Sequence, residues 1–219
     1  MSVFATLLRR DLALAFGGGR RGGAVLPVLF FLAVAMLFPF AVGPDPVPLS
    51  RAGGGIVWVA ALLAAILPLD RLFAPDFEQG FLDQFALRGI SEEAVAAVRL
   101  LSHWLSFGPP LMLATLPAAA LLGLDGETVA TLEWGLLAGT PGLAAIGLMI
   151  AALTLTLRAG AALAGLMLVP LAVPLLIFGA GALSTGGDAG IALTAAISLL
   201  LCALTPFAAG AAIRAAREG

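Results

Sequence analysis

The chain has 219 residues, of which 61% are hydrophobic and 11% charged, with a mean hydropathy of +1.10. Soluble domains carry roughly 25% charged residues, so this composition excludes an ordinary soluble domain and predicts one membrane domain spanning residues 1–219. The formal charge of −2 says little, but a chain with one Cys, one His and no Lys has no intrachain disulfide and little metal or nucleophile chemistry.

Residues 2–16 are amphipathic at helical spacing, with Phe4, Leu7, Leu8 and Leu12 on or near one face and Arg9, Arg10 and Asp11 opposite. This pattern predicts a helix lying in the membrane interface, stopped at Gly17-Gly18-Gly19. Arg20 and Arg21 then precede the first span, residues 24–42, which at ~1.5 Å per residue reaches ~28 Å and can cross the hydrocarbon core. The stretch is longer than a signal-peptide core and five more spans follow, so it is expected to stay in the protein.

Gly43 to Pro48 is a Pro-rich turn. The second span covers residues 53–69, with a start nearer Leu49 possible. Residues 70–99 form the one long polar stretch. The remaining spans are placed at 101–124, 134–157, 161–183 and 191–213. Between spans three and four lies an acidic loop with Asp125, Glu127 and Glu133. Threaded this way, ten of the eleven arginines fall on one side, and Arg51 alone falls on the other. The positive-inside rule then puts both termini and residues 70–99 in the cytoplasm.

What the spans lack narrows the function. Every Asp, Glu and Arg can be assigned to a loop or a span edge, so no proton or sodium relay of the kind expected in ion-coupled transporters is visible. Gly17 to Gly23 is glycine-rich, but a phosphate loop needs its lysine, and this chain has none. If ATP drives the protein, a partner hydrolyses it. One His and no intramembrane Asp pair also argue against proteolysis within the bilayer. His103 and Trp104 sit at the inner start of span three, where they read as an interfacial anchor or, more sharply, as a haem or substrate contact. Gly135-x-x-x-Gly139 and Ala61-x-x-x-Ala65 are small-residue pairs of the kind that let helices approach. Pro109, Pro110, Pro117, Pro141, Pro170 and Pro174 are expected to kink or interrupt spans three to five.

Within the polar stretch, Phe81, Leu82 and Phe85 give a short helix one apolar face, and Ser91 followed by Glu92 and Glu93 reads as the start of a second helix running into span three. A short helix with exposed aromatics and acidic neighbours suits insertion into a partner's groove. The plainer alternative is that it lies flat on lipid headgroups.

Several segments together carry a resemblance: Ile56 to Leu63, Leu69-Asp70-Arg71-Leu72-Phe73, Gly80-Phe81-Leu82-Asp83-Gln84, Leu37-Phe38-Pro39-Phe40 with Gly43-Pro44, His103-Trp104, Gly139-Thr140-Pro141, Pro174 to Phe178, and Pro206-Phe207-Ala208. Over nearly its whole length the chain resembles the cytochrome c maturation protein B family, the permease subunit of a haem exporter within the type-2 ABC permease group. The resemblance implies an all-α integral membrane protein. Six transmembrane helices would follow an N-terminal interfacial helix, with a cytoplasmic coupling helix between spans two and three. It implies a bacterial inner-membrane complex of two permease copies and two ABC ATPase subunits, with haem-handling membrane subunits C and D and haem chaperone E. Haem would be the handled ligand and ATP would bind the partner, while this chain would be a non-catalytic subunit in contact with lipid and not nucleic acid.

The coupling segment would be Asp76, Glu78, Gly80, Phe81, Leu82, Asp83 and Phe85. Gly80 would set the turn, Leu82 and Phe85 would fill an apolar groove, and Glu78 and Asp83 would meet basic residues. The family usually has Ser or Thr where this chain has Phe81, which removes a helix cap that Asp83 can replace. A type-2 exporter of lipid or drug, and a membrane scaffold for the ATPase, stay open as alternatives.

Overall fold

A computed structural model describes residues 3–17, 23–43, 45–157, 160–183 and 187–218. Arg20, Arg21, Pro44, Arg158 and Ser184, to which the sequence assigned anchors and turns, lie outside the described residues. Among the described residues nine α-helices follow one another: α1 Val3–Phe16, α2 Val25–Val42, α3 Pro46–Ile66, α4 Ala74–Glu78, α5 Phe81–Leu87, α6 Glu92–Leu122, α7 Gly126–Leu153, α8 Gly160–Gly181 and α9 Gly187–Glu218. A single 3-10 turn, Leu69–Arg71, links α3 to α4, and there are no strands among the described residues. Among the described residues six helices are long and apolar enough to cross a membrane, and the shortest has 18 residues. The protein is a multi-pass, all-helical membrane protein.

The polar punctuation explains where helices begin. Asp45 accepts a hydrogen bond from Val47 N at 3.1 Å with Pro46 opening α3, so this helix starts seven residues before the expected 53. Asp125 accepts from Thr128 N at 2.8 Å and starts α7 at Gly126. The segment read as an acidic loop is therefore the first two turns of a helix. Ser91 caps α6 as expected, accepting from Ala94 N at 3.2 Å, and that helix then runs unbroken for 31 residues into the third span. Pro109, Pro110 and Pro117 sit inside it, as Pro141 does in α7 and Pro170 and Pro174 in α8, without ending those helices.

α7 is the central helix, packed against α6, α8 and α9. Trp58 of α3 is fully buried in a slot formed by glycines on two neighbours. A Cβ on Gly139 would lie 2.5 Å from the indole Cη2, and one on Gly179 would lie 2.2 Å from Cζ2. Real Cβ atoms do not tolerate such contacts, so these glycines make room for a ring. The Gly135/Gly139 pair thus makes room for a tryptophan, and a Cβ on Gly135 would also lie 3.8 Å from the backbone carbonyl of Gly179 on α8.

Candidate functional site

At one end of the bundle, α1, the segment from the 3-10 turn through α5, the start of α6 and the end of α9 converge. Ion pairs mark the convergence. Asp76, at the first turn of α4, accepts from Arg10 Nη2 at 2.6 Å and Nη1 at 3.1 Å, and from Arg99 Nη2 at 2.6 Å. Arg99 also donates from Nε to Asp11 at 3.0 Å and from Nη1 to the carbonyl of Leu72. The guanidinium of Arg99 lies 5.3 Å from the ring of Phe73, and that of Arg10 lies 5.4 Å from Phe81 and 5.8 Å from Phe85. Asp11, Asp76 and Arg99 side chains are only 10%, 10% and 9% exposed. Burial by itself pushes the Asp76 carboxyl up, but hydrogen bonds from Arg10 and Arg99 and their charges outweigh it, leaving its pKa below the usual carboxylate value.

A second, more exposed cluster ties the C-terminal helix to the same end. Arg214 of α9 donates to Glu93 at 2.6 Å and Glu92 at 3.3 Å, while Arg217 donates to Asp83 at 2.7 Å and also bonds Glu92. Both ends of the described chain therefore meet residues 70–99, as six crossings require.

The seven residues expected to form the coupling segment divide into two sets. Asp76 is held in the buried knot. Leu82 is 3% exposed and joins the chain's own core, with Phe85 packed against it, so the apolar face of α5 is spent inside the molecule. Gly80 takes φ +71 between α4 and α5, the left-handed backbone that glycine adopts without strain. No side chain caps α5, whose N-cap residue is Gly80, and Asp83 in its first turn pairs with Arg217. Glu78, Asp83 and Gln84 are exposed, and Leu87, which sequence reasoning passed over, is 87% exposed.

His103 and Trp104 prove to be inward residues. His103 is 3% exposed and rests against Phe107 with ring centroids 4.9 Å apart. Its Nε2 has no hydrogen-bond partner and faces α7, where a Cβ on Gly147 would sit 3.8 Å away. Trp104 is half-buried and donates from Nε1 to Thr140 Oγ1 at 3.0 Å, tying α6 to α7. Neither packs as a free interfacial anchor.

Between α1, the 3-10 turn, α4, α5 and α6 opens a cavity of about 500 Å³. Its wall contains both members of the Arg99–Asp76 pair, Arg10, Arg71 and His103, with apolar surface from Leu14, Leu72 and Phe81. Sequence reasoning missed this cavity and the knot beside it, because Arg10 and Asp76 lie 66 residues apart and Arg99 and Asp11 lie 88 apart.

A bundle of six long apolar helices, with both described ends of the chain and one compact helical segment gathered at a single end, defines a polytopic membrane protein. The family model described as CcmB protein matches residues 2–216, and the chain belongs to that family. It is 43% identical to heme exporter protein B of Bradyrhizobium diazoefficiens, over 98% of each chain. It is 46% identical to the protein of that name from Rhodobacter capsulatus, over 95% of this chain and 97% of the relative. The Escherichia coli K12 protein of that name is 37% identical, over 97% of this chain and 98% of the relative.

Proposed function

We propose that this chain is the permease subunit of an ABC complex of the inner membrane that handles haem for cytochrome c maturation. In this reading it does no chemistry itself. A partner ATPase hydrolyses ATP, and the permease converts that work into haem export or into release of a haem-loaded periplasmic chaperone. The observation that carries the reading is family membership over nearly the full length, alongside relatives named for haem export. The arginine asymmetry supports cytoplasmic termini, an interfacial α1, and a position for α4 and α5 on the ATP-containing side. A second permease copy, the C and D subunits and chaperone E complete the expected assembly.

The exposed side of α4–α5 is the proposed ATPase contact, through Glu78, Asp83, Gln84 and Leu87, turned by Gly80. Asp76, Phe81, Leu82 and Phe85 hold that surface to the bundle. A double variant, Glu78→Arg with Leu87→Asp, changes only exposed side chains and is expected to retain membrane insertion and thermal stability. It should lose co-purification with the ATPase and production of c-type cytochromes, while b-type cytochromes persist. Normal ATPase association and normal c-type cytochromes in that variant overturn the docking assignment. Normal c-type cytochromes after deletion of the whole chain overturn the haem reading and favour an exporter of another substrate.

A further inference from the structure

We infer that the cavity between α1, the 3-10 turn, α4, α5 and α6 is the place where haem enters this chain, held by its carboxylates at Arg71 and not by its iron. The inference rests on the haem reading above and adds the site. The argument begins with charge. Three guanidiniums and two carboxylates line the cavity: Arg10, Arg71 and Arg99 against Asp11 and Asp76. Arg10 and Arg99 are committed to the two carboxylates. Arg71, 41% exposed, makes only a loose 3.9 Å pair with its neighbour Asp70 among the described residues. Arg71 is thus the one guanidinium of the wall not held by Asp11 or Asp76; its charge is offset only by Asp70, outside the wall, and its planar fork suits a carboxylate.

The rest of the wall suits the body of an amphiphile. Leu72 is buried and Phe81 half-buried, Leu14 continues the apolar surface along α1, and the exposed amide of Gln79 stands beside them. A volume of about 500 Å³ lies within the range that buries a drug-sized ligand. α1 carries its own apolar face alongside, so a ligand dissolved in the adjoining leaflet reaches the opening without crossing open water. Axial ligation is a different matter. The free nitrogen of His103 has no accessible surface and faces Gly147 on α7. Haem thus binds here by carboxylate pairing and packing, and its iron takes no ligand from His103.

The test uses the intact complex solubilised from native membranes, titrated with ferric haem and followed by Soret absorbance. Wild type should bind saturably, and Arg71→Glu should bind at least about tenfold more weakly. Arg51→Glu, at the opposite end of the bundle, should match wild type. Equal affinity of wild type and Arg71→Glu overturns the cavity, while loss of c-type cytochromes on deletion would leave the haem pathway itself standing. A second arm measures lipid retained by each complex. Arg71-dependent retention of phosphatidylglycerol without haem binding makes the occupant a phospholipid and overturns haem. In a third, His103→Ala should leave the Soret position unchanged, and a shift overturns the carboxylate mode.

Discussion

The two ion-pair clusters at one end of the bundle use the same chemistry, Arg against carboxylate, yet they differ in exposure. In the first, Asp11, Asp76 and Arg99 side chains are about one-tenth exposed, at 10%, 10% and 9%. In the second, Arg214 is 47% and Asp83 60% exposed, although Arg217 and Glu92 are 19% and 14% exposed. Exposed pairs gain little, because water and salt screen the attraction and two long side chains must be ordered. Buried pairs are punishing to break, since removing one partner strands a charge where water cannot reach it. The buried knot also bridges three elements at once, through Arg10 of α1, Asp76 of α4 and Arg99 of α6. The same ions thus act as a structural clasp in one place and as a loose tether in the other.

That contrast can be broken by removing members of each cluster. Asp76→Ala should produce the largest effect, about 3–5 kcal/mol of destabilisation, because two guanidiniums lose their shared carboxylate. A large fall in melting temperature of the detergent-solubilised protein measures it. Leu82→Ala should cost about 2–4 kcal/mol by opening a cavity beneath α5, and the same melt would then show α4–α5 to be anchored by packing as well as by charge. Gly80→Ala should cost about 1–2 kcal/mol by forcing a Cβ into left-handed backbone, visible as a smaller shift. Arg214→Ala should leave the melting temperature where it is. A fall as large as that of Asp76→Ala would erase the distinction between the clusters.

Acid provides a way to sharpen it. The Asp76 carboxyl has its pKa lowered on folding. Its contribution is therefore fully present above the unfolded carboxylate value of about 3.9, and is lost as pH falls through the lower folded value. Wild type should lose stability on acidification over that window, whereas Asp76→Asn, already lacking the charge, should show a flatter profile.

Sequence and structure agree where the solvent decides and part where packing does. Runs of apolar residues near 20 long have no stable alternative to a membrane helix, so the six spans and the polar 70–99 stretch were legible from composition. The Ser91 cap was legible because its signal lies within three residues of the group it satisfies. The starts at Pro46 and Gly126 were hidden by hydropathy, which tracks the bilayer and is blind to the polar turns that extend a helix beyond it.

What individual side chains pack against was not legible at all. An amphipathic α5 is equally consistent with a foreign groove and with the chain's own core, and Leu82 lies in the latter. His103 and Trp104 looked like boundary residues because of their position along α6, yet their direction around that helix turns them inward. Arg217 and Asp83 meet across 134 residues, a distance over which no local pattern carries information. Partition between water and lipid is a property of each segment alone, so it can be read along the chain. Which charge finds which, and which aromatic finds a glycine slot, depends on how the helices stack, and that emerges only once every segment is in place.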